Sequence, residues 1–301
     1  MNAAAVCQRL FALSQGQPRC GTVHSVFAHA VNLEFGEPGL IGLIAQEKAL
    51  TPYAVSVRTV LPLYQAGVRA GMAAYLREGM IDFPEARIEI DFLTAKRVDL
   101  QIDSIELSNR EHFQVLLLQE TLLEQIITQL NTADAEAGLV SLVTGKTDNH
   151  YTRFLRPRLE TLFLAVSQGE HEKAARAAAD CAGCGMGLTP SSDDLLSGYF
   201  ATLHLLFRAR KLPEAKSHIC DMAQAAAEKT NRISATFLRQ SGEALANDAI
   251  CQLFRSVDAF PDTSLCTRAI ARVLAIGSTS GADMLTGVVL ALRQNIEGNV
   301  T

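Results

Sequence analysis

No run in this sequence approaches the roughly 18–20 consecutive apolar residues of a membrane-spanning helix, so neither a transmembrane protein nor a membrane partner is expected. Dense basic runs are absent as well. With a formal net charge of −5, the chain has no basic stripe to offer a nucleic-acid backbone, and nucleic acid is not expected as the main partner. At the N-terminus Arg9 interrupts an apolar stretch already too short for a signal peptide, so the expected location is the cytoplasm. Cysteine chemistry is thin. Seven cysteines, an odd number with no export pattern, read as reduced thiols. Cys181 and Cys184 make the one C-x-x-C, and no second close pair or histidine pair completes a tetrahedral zinc site. That pair follows an alanine-rich helical stretch, where a thioredoxin-like motif would follow a strand; the thiols read as small packing residues. No G-x-S-x-G elbow exposes a serine nucleophile.

What is present is material for a core: 48% hydrophobic and 20% charged residues in a 301-residue chain, enough for two domains. The most unusual stretch is Gly183-Cys184-Gly185-Met186-Gly187-Leu188-Thr189-Pro190-Ser191-Ser192-Asp193-Asp194. Gly183, Gly185 and Gly187 let the main chain approach a ligand closely. Leu195, Leu196, Tyr199, Phe200, Leu203, Leu206 and Phe207 then recur at helical spacing, which predicts a helix from Ser191 or Ser192 to about Phe207. Free N–H groups and the positive dipole end at its start, beside the hydroxyls of Thr189, Ser191 and Ser192, form a candidate pocket for a phosphate or carboxylate. A plain helix start is the competing account, with Ser191 and Asp194 as a capping box. Against it, one cap needs one hydroxyl and one carboxylate, and this stretch supplies several. Asp193 and Asp194, about 100° apart around the helix, cannot both serve one cap, which leaves one for substrate or metal.

The first 105 or so residues are strand-like. After a short helix expected over residues 2 to 14, Gly21 to Leu33 alternates loosely, and Leu40 to Ala45, Ala54 to Val60 and Ala86 to Phe92 continue in that style between Gly, Pro and Asp punctuation. Residues 62 to 80 are ambiguous, because Gly67, Gly71 and Gly79 weaken a helix. His24 and Ser25, polar in an apolar strand, either face solvent or line a pocket and are secondary binding candidates. From Ser108 the pattern is helical: Phe113, Leu116, Leu117, Leu123, Ile126, Ile127 and Leu130 mark a long amphipathic helix opened by Ser108 and Glu111. The expected fold is therefore α+β, with a strand-rich domain at 1–107 and a larger, mainly α-helical domain at 108–301. Gly145-Lys146-Thr147 imitates the end of a phosphate-binding P-loop, but Val140 stands where that motif needs glycine and no strand precedes it. Two helices follow over 150 to 180, separated near Gly169, with Arg153, Arg156 and Arg158 close to Pro157, either on a solvated face or contributing charge to a nearby anion. Pro213 opens another helix, and Asn231, Arg232 and Ser234 gather where a further one begins. Capping explains Asn231. It explains Arg232 poorly, since the dipole disfavours a cation there, and a bound anion would remove the objection.

The central motif has an echo. Gly277-Ser278-Thr279-Ser280-Gly281-Ala282-Asp283-Met284-Leu285-Thr286-Gly287 repeats the order glycine, Ser/Thr cluster, Asp-x-Leu-Ser/Thr-Gly, so that Asp194 and Gly198 match Asp283 and Gly287. In each helix the glycine lies one turn beyond the aspartate on the same face, where another helix or a ligand can come close. Met284 to Leu292 is apolar nearly all round and must be buried. Two hydroxyl-rich starts, with Thr279 and Ser280 at the second, could converge on one pocket; coincidence between small-residue helix starts is the alternative.

The Gly-x-Gly-Leu-Thr-Pro-Ser-x-Asp-Asp-x-Leu-x-Gly signature at Gly185 to Gly198, the Gly21 to Phe27 stretch and the Asn231 to Ser234 segment resemble the bacterial AllH-type family, associated with anaerobic allantoin breakdown. Ser192 stands where that family is expected to prefer glycine. The resemblance implies a subunit of oxamate carbamoyltransferase, moving a carbamoyl group between carbamoyl phosphate and oxamate; in catabolism, oxalurate and phosphate give oxamate and carbamoyl phosphate. Other protein subunits are implied as partners. Anion binding falls to Gly183 through Ser192 and to Arg232, and proton handling or metal contact to Asp193, Asp194 or Asp283. The Ser-Thr-Arg-Thr and His-Pro-x-Gln signatures of ordinary transcarbamoylases are missing, so a different fold and site are expected. No cofactor is expected, with Mg²⁺ the possible exception. Two rival functions stand beside this one: a non-catalytic anion-binding or scaffolding subunit, and a Mg²⁺-dependent phosphotransferase using the paired aspartates.

Overall fold

In the computed structural model, residues 2–59, 61–106, 120–133, 137–212, 215–259 and 262–297 are described. The chain divides into two units, Met1–Leu100 and Gln101–Thr301. The boundary expected at 107/108 lies outside the described residues.

Branched and apolar residues make the first unit a nine-stranded sheet. Its strands are β1 (Ala3–Cys7), β2 (Arg19–Val26), β3 (Ala30–Glu34), β4 (Leu40–Ala45), β5 (Ala54–Val57), β6 (Ala73–Arg77), β7 (Met80–Phe83), β8 (Ile88–Asp91) and β9 (Lys96–Val98). They run in the order β8-β7-β6-β2-β3-β4-β5-β1-β9, antiparallel except for β4 with β5 and β1 with β9. A further bridge joins Asn2 to Asp91, so the sheet curls until β8 meets the start of β1. Alternation in β3, β6 and β7 puts Val31, Leu33, Ala74, Leu76, Ile81 and Phe83 inside, while β4 and β5 are buried along their whole length, as their continuous apolar sequences require.

One expectation is corrected here, and two open stretches are resolved. Residues 2 to 14 are not one helix: β1 comes first and only Gln8–Ser14 is helical (α1). The alanines of Ala3–Ala5 suit a helix by propensity, but pairing with β5 and β9 buries Val6 and Cys7 completely, and that tertiary gain decides. The loosely alternating Gly21 to Leu33 stretch lies in the hairpin of β2 and β3. The ambiguous segment at 62 to 80 is a short 3-10 turn and a strand, with Gly67, Gly71 and Gly79 all at positive φ, which is why the leucines there do not propagate a helix.

The second unit is helical. Of the helix expected over 108 to 130, the part through residue 119 lies outside the described residues; α2 (Glu120–Thr132) buries Leu122, Ile126 and Leu130. The P-loop-like stretch forms a turn and a single helical turn, α3 (Ser141–Thr144), ending at Gly145. Then come α4 (His150–Ser167) and α5 (His171–Cys181), parted at Gly169 as expected. Helix α6 (Ser191–Ala209) starts at the expected residue. Next are α7 (Ala215–Ala227), α8 (Arg232–Gly242), α9 (Asp248–Ser256), α10 (Ser264–Leu274) and α11 (Ser280–Glu297); Pro213 lies outside the described residues. The seven cysteines are free thiols, with Cys7, Cys181, Cys251 and Cys266 buried. No helix among the described residues is long and apolar enough to cross a membrane.

Helices α6 and α11 form the centre of this unit. A Cβ on Gly198 would collide with the Met284 carbonyl, and one on Gly287 with the Leu195 carbonyl and the Tyr199 amide. The two missing side chains thus let the helices cross with backbones in contact. Their first turns lie together, since the Thr189 hydroxyl is 3.2 Å from that of Ser280. Further along, the Tyr199 hydroxyl donates to Gln294 at 2.6 Å. The pair therefore runs parallel, and both positive dipole ends point to one place.

Candidate active site

The loop before α6 folds back onto the helix it introduces. Gly183, Gly185 and Gly187 take φ values of 75°, 131° and 99°, and Gly185 lies so close to Ser191 that a side chain there would strike its main chain. The Ser192 N–H donates to the Cys184 carbonyl at 2.9 Å, and the Cys184 N–H donates to the Ser192 hydroxyl at 2.8 Å. Asp193 and Asp194 direct their N–H groups to the Pro190 carbonyl at 2.9 and 3.3 Å. The amides of residues 192 to 194 are thus engaged within the protein, contrary to the expectation that they await an anion. The capping box is not formed either: Pro190 is the N-cap residue and no side chain caps the helix. Ser192, in the place where glycine was expected, holds the loop closed.

The three aspartates occupy separate niches beneath this loop. Asp193 accepts the Gly183 N–H at 2.7 Å and the Thr230 hydroxyl at 2.5 Å, pinning the glycine loop to the approach of α8. Burial raises its pKa against those donors. Asp194 accepts the Thr189 hydroxyl at 2.9 Å. Burial pushes its pKa up to about 7, the Ser280 and Thr189 hydroxyls oppose the rise, and the neighbouring charges of Asp283 and Asp193 add to it. Asp283 accepts the Leu139 N–H at 2.7 Å, and Gly138 packs against its carboxyl group. Its Oδ2 is buried with no hydrogen-bond partner among the described residues. The Ser191 and Thr279 hydroxyls favour its charge without closing a good hydrogen bond on that oxygen, and burial raises its pKa to about 6.

A reachable layer covers this buried one. Ser191, Ser192, Asp193, Asp194, Ser234 and Asp283 are each at most 4% exposed, whereas Thr189, Thr279 and Ser280 are half-buried and Gly183, Gly187, Asn231 and Arg232 are exposed. Asn231 caps α8, accepting from Ile233 at 3.0 Å and Ser234 at 3.2 Å, and donates its own amide to the Leu188 carbonyl at 3.0 Å. Capping therefore accounts for Asn231 fully. It also carries Arg232, the first residue of α8, to the edge of the same loop. The Ser234 hydroxyl points inward and its oxygen lacks a partner among the described residues. Among those residues no group of three or more His, Cys, Asp or Glu side chains is arranged to hold a metal ion.

The α6, α8 and α11 starts thus bring together Gly183, Gly185, Gly187, Thr189, Asp193, Asp194, Asn231, Arg232, Ser280 and Asp283. His24 and Ser25 belong to the other unit. There His24 sits in the bulge of β2 between Val23 and Ser25, its Nδ1 3.1 Å from the Ser25 hydroxyl, which also accepts from Asn32 at 3.0 Å. Two contributors were missed. Thr230 is a lone hydroxyl before the cap, and Leu139 gives only its main chain, so neither has a local signature.

Two family models match the chain. One, described as oxamate carbamoyltransferase subunit AllH, matches residues 181–292; the other, described as the AllH family N-terminal domain, matches residues 2–97. The first spans the three helix starts and all three aspartates. No solved structure matches.

Proposed function

The chain belongs to the AllH family, and from that premise we propose that it serves an oxamate carbamoyltransferase as the subunit that holds anionic substrate at the α6, α8 and α11 starts. The supporting observation is the Thr189–Ser280 contact of 3.2 Å, which places two reachable hydroxyls between helix dipoles, above a carboxyl group whose pKa is about 7. Arg232, at the loop edge, holds the carboxylate of oxamate or oxalurate, or the phosphate. In the catabolic direction a phosphate oxygen attacks the terminal carbamoyl carbon of oxalurate, giving a tetrahedral oxyanion. The bond to the oxamate nitrogen then breaks, that nitrogen takes up a proton, and carbamoyl phosphate remains. When Asp194 is protonated it donates to the Thr189 oxygen, which frees the Thr189 proton, and Ser280 and Thr189 then stabilise the oxyanion by donating to it. Asp194, joined to Thr189 at 2.9 Å, exchanges the proton through that hydroxyl, as a group poised near neutral pH can. Asp193 and Asp283 position the loop and the α11 start.

The burial of all three aspartates favours a second reading, in which this subunit binds an anion and scaffolds partners that perform the chemistry. An assay of carbamoyl phosphate formation from oxalurate and phosphate by the chain assembled with its partner subunits separates the two: Asp194→Asn is expected to lower kcat, and an unchanged kcat would favour the scaffold. If substituting Arg232→Gln in that assembly leaves KM for both substrates unchanged, substrate is not held here.

A further inference from the structure

A second polar feature lies apart from the helix starts. The turn after α3 opens onto a cleft of about 590 Å³ lined by Ser141, Gly145, Lys146, Asp148, Arg156 and Arg293, a size within the range of small-molecule sites. Its cations come from three elements: Lys146 from the turn, Arg156 from α4 and Arg293 from α11. Asp148 is the one carboxylate in the lining, and it is consumed. Arg156 grips it through Nη2, 2.8 Å from both carboxylate oxygens, and through Nε at 3.2 Å, and Ser141 donates to it at 3.0 Å, which holds its pKa below the usual carboxylate value. Arg293 donates to the Val143 carbonyl at 3.1 Å and keeps further donors on its fork. Neither Lys146 nor Arg293 has a carboxylate partner among the described residues. A chain of net charge −5 thus gathers in one cleft two positive charges that no carboxylate among the described residues pairs.

We infer that this cleft is a second anion-binding site and takes a small phosphorylated ligand or free phosphate, with Lys146 and Arg293 as its principal contacts. Two positive charges match a phosphate dianion, and a guanidinium fork matches its oxygens. The site is separate from the helix starts, because Arg293 lies ten residues beyond Asp283 on α11, about 15 Å along the helix. It is nevertheless connected to them. The segment that forms the cleft begins with Gly138 and Leu139, which hold Asp283, and Asn149 at its other end donates to the Gly138 carbonyl at 2.8 Å. A ligand in the cleft would order the segment that fixes Asp283. The inference is independent of carbamoyl transfer.

Calorimetric titration of inorganic phosphate into the full chain tests it. Binding is expected, weakened about tenfold or more by Lys146→Ala and by Arg293→Gln, since losing one charge-assisted contact removes roughly 1.5–3 kcal/mol, and weakened to the same degree in an Arg232→Gln background, where phosphate at the helix starts no longer contributes. Lys146 is half-exposed on a turn, so its substitution keeps the fold even if that of Arg293 does not; circular dichroism checks both. Absence of phosphate binding by the folded chain overturns the inference. So does binding that is indifferent to Lys146→Ala and lost in the Arg232→Gln chain; that result would locate the anion at the helix starts and leave the proposed carbamoyl transfer standing.

Discussion

At the start of α6, Asp194 is reached through the side chain of Thr189; at the start of α11, the matching Asp283 is held by the main-chain N–H of Leu139 and its Oδ2 has no partner among the described residues. Sequence order is the same in both places, and the attachments differ. Hydroxyls rotate and pass protons outward, so the α6 side suits chemistry. A buried main-chain donor does neither, so the α11 side suits positioning. The two glycines, by contrast, do the same work in both helices, each admitting the other's backbone. The repeat therefore builds the crossing symmetrically and the site asymmetrically.

The crossing gives the largest effect. Gly198→Val and Gly287→Val each place a branched side chain against backbone that cannot move without parting the helices, and each is expected to destabilise the second unit by about 5 kcal/mol or prevent its folding. Denaturant unfolding measures this. Equal tolerance of valine at both positions would mean that the helices need no close crossing.

A smaller effect separates the two aspartates. Burial raises both above the ordinary 3.8, Asp194 to about 7 and Asp283 to about 6. A raised acid favours the protonated fold, so its contribution is fully present below about pH 4 and is lost as pH rises through the folded value. Stability should therefore fall between pH 4 and 7 for Asp194, by at most roughly 4 kcal/mol, and between pH 4 and 6 for Asp283, by at most roughly 3 kcal/mol. Asp194→Asn should remove the part of the slope that extends to pH 7, and Asp283→Asn only the part below pH 6. Unfolding curves across this range decide it; identical slopes for both variants would erase the distinction.

Much of this was legible from residue order. The start of α6, its echo at α11 and the meaning of Gly198 and Gly287 rest on local spacing, which survives in sequence. The closure of the loop did not, because Ser192 reads as a spare hydroxyl until the Cys184 carbonyl and N–H are seen to meet it. Thr230 and Leu139 reach their aspartates across 37 and 144 residues, and one of them through main chain alone. In the first unit, β1 was hidden for the opposite reason: Ala3–Ala5 carries a helical preference that pairing with β5 and β9 overrides.

The central claim is that the α6 and α11 starts share one working site, and the Thr189→Ala/Ser280→Ala double variant tests it most directly in the complex assembled with its partner subunits. Both residues are half-buried, and losing two hydroxyls there should cost only about 1–2 kcal/mol of stability. The expected result is a folded subunit that still assembles, with kcat/KM for carbamoyl phosphate formation from oxalurate reduced about a hundredfold or more. A folded, assembled double variant with undiminished kcat/KM would contradict the account.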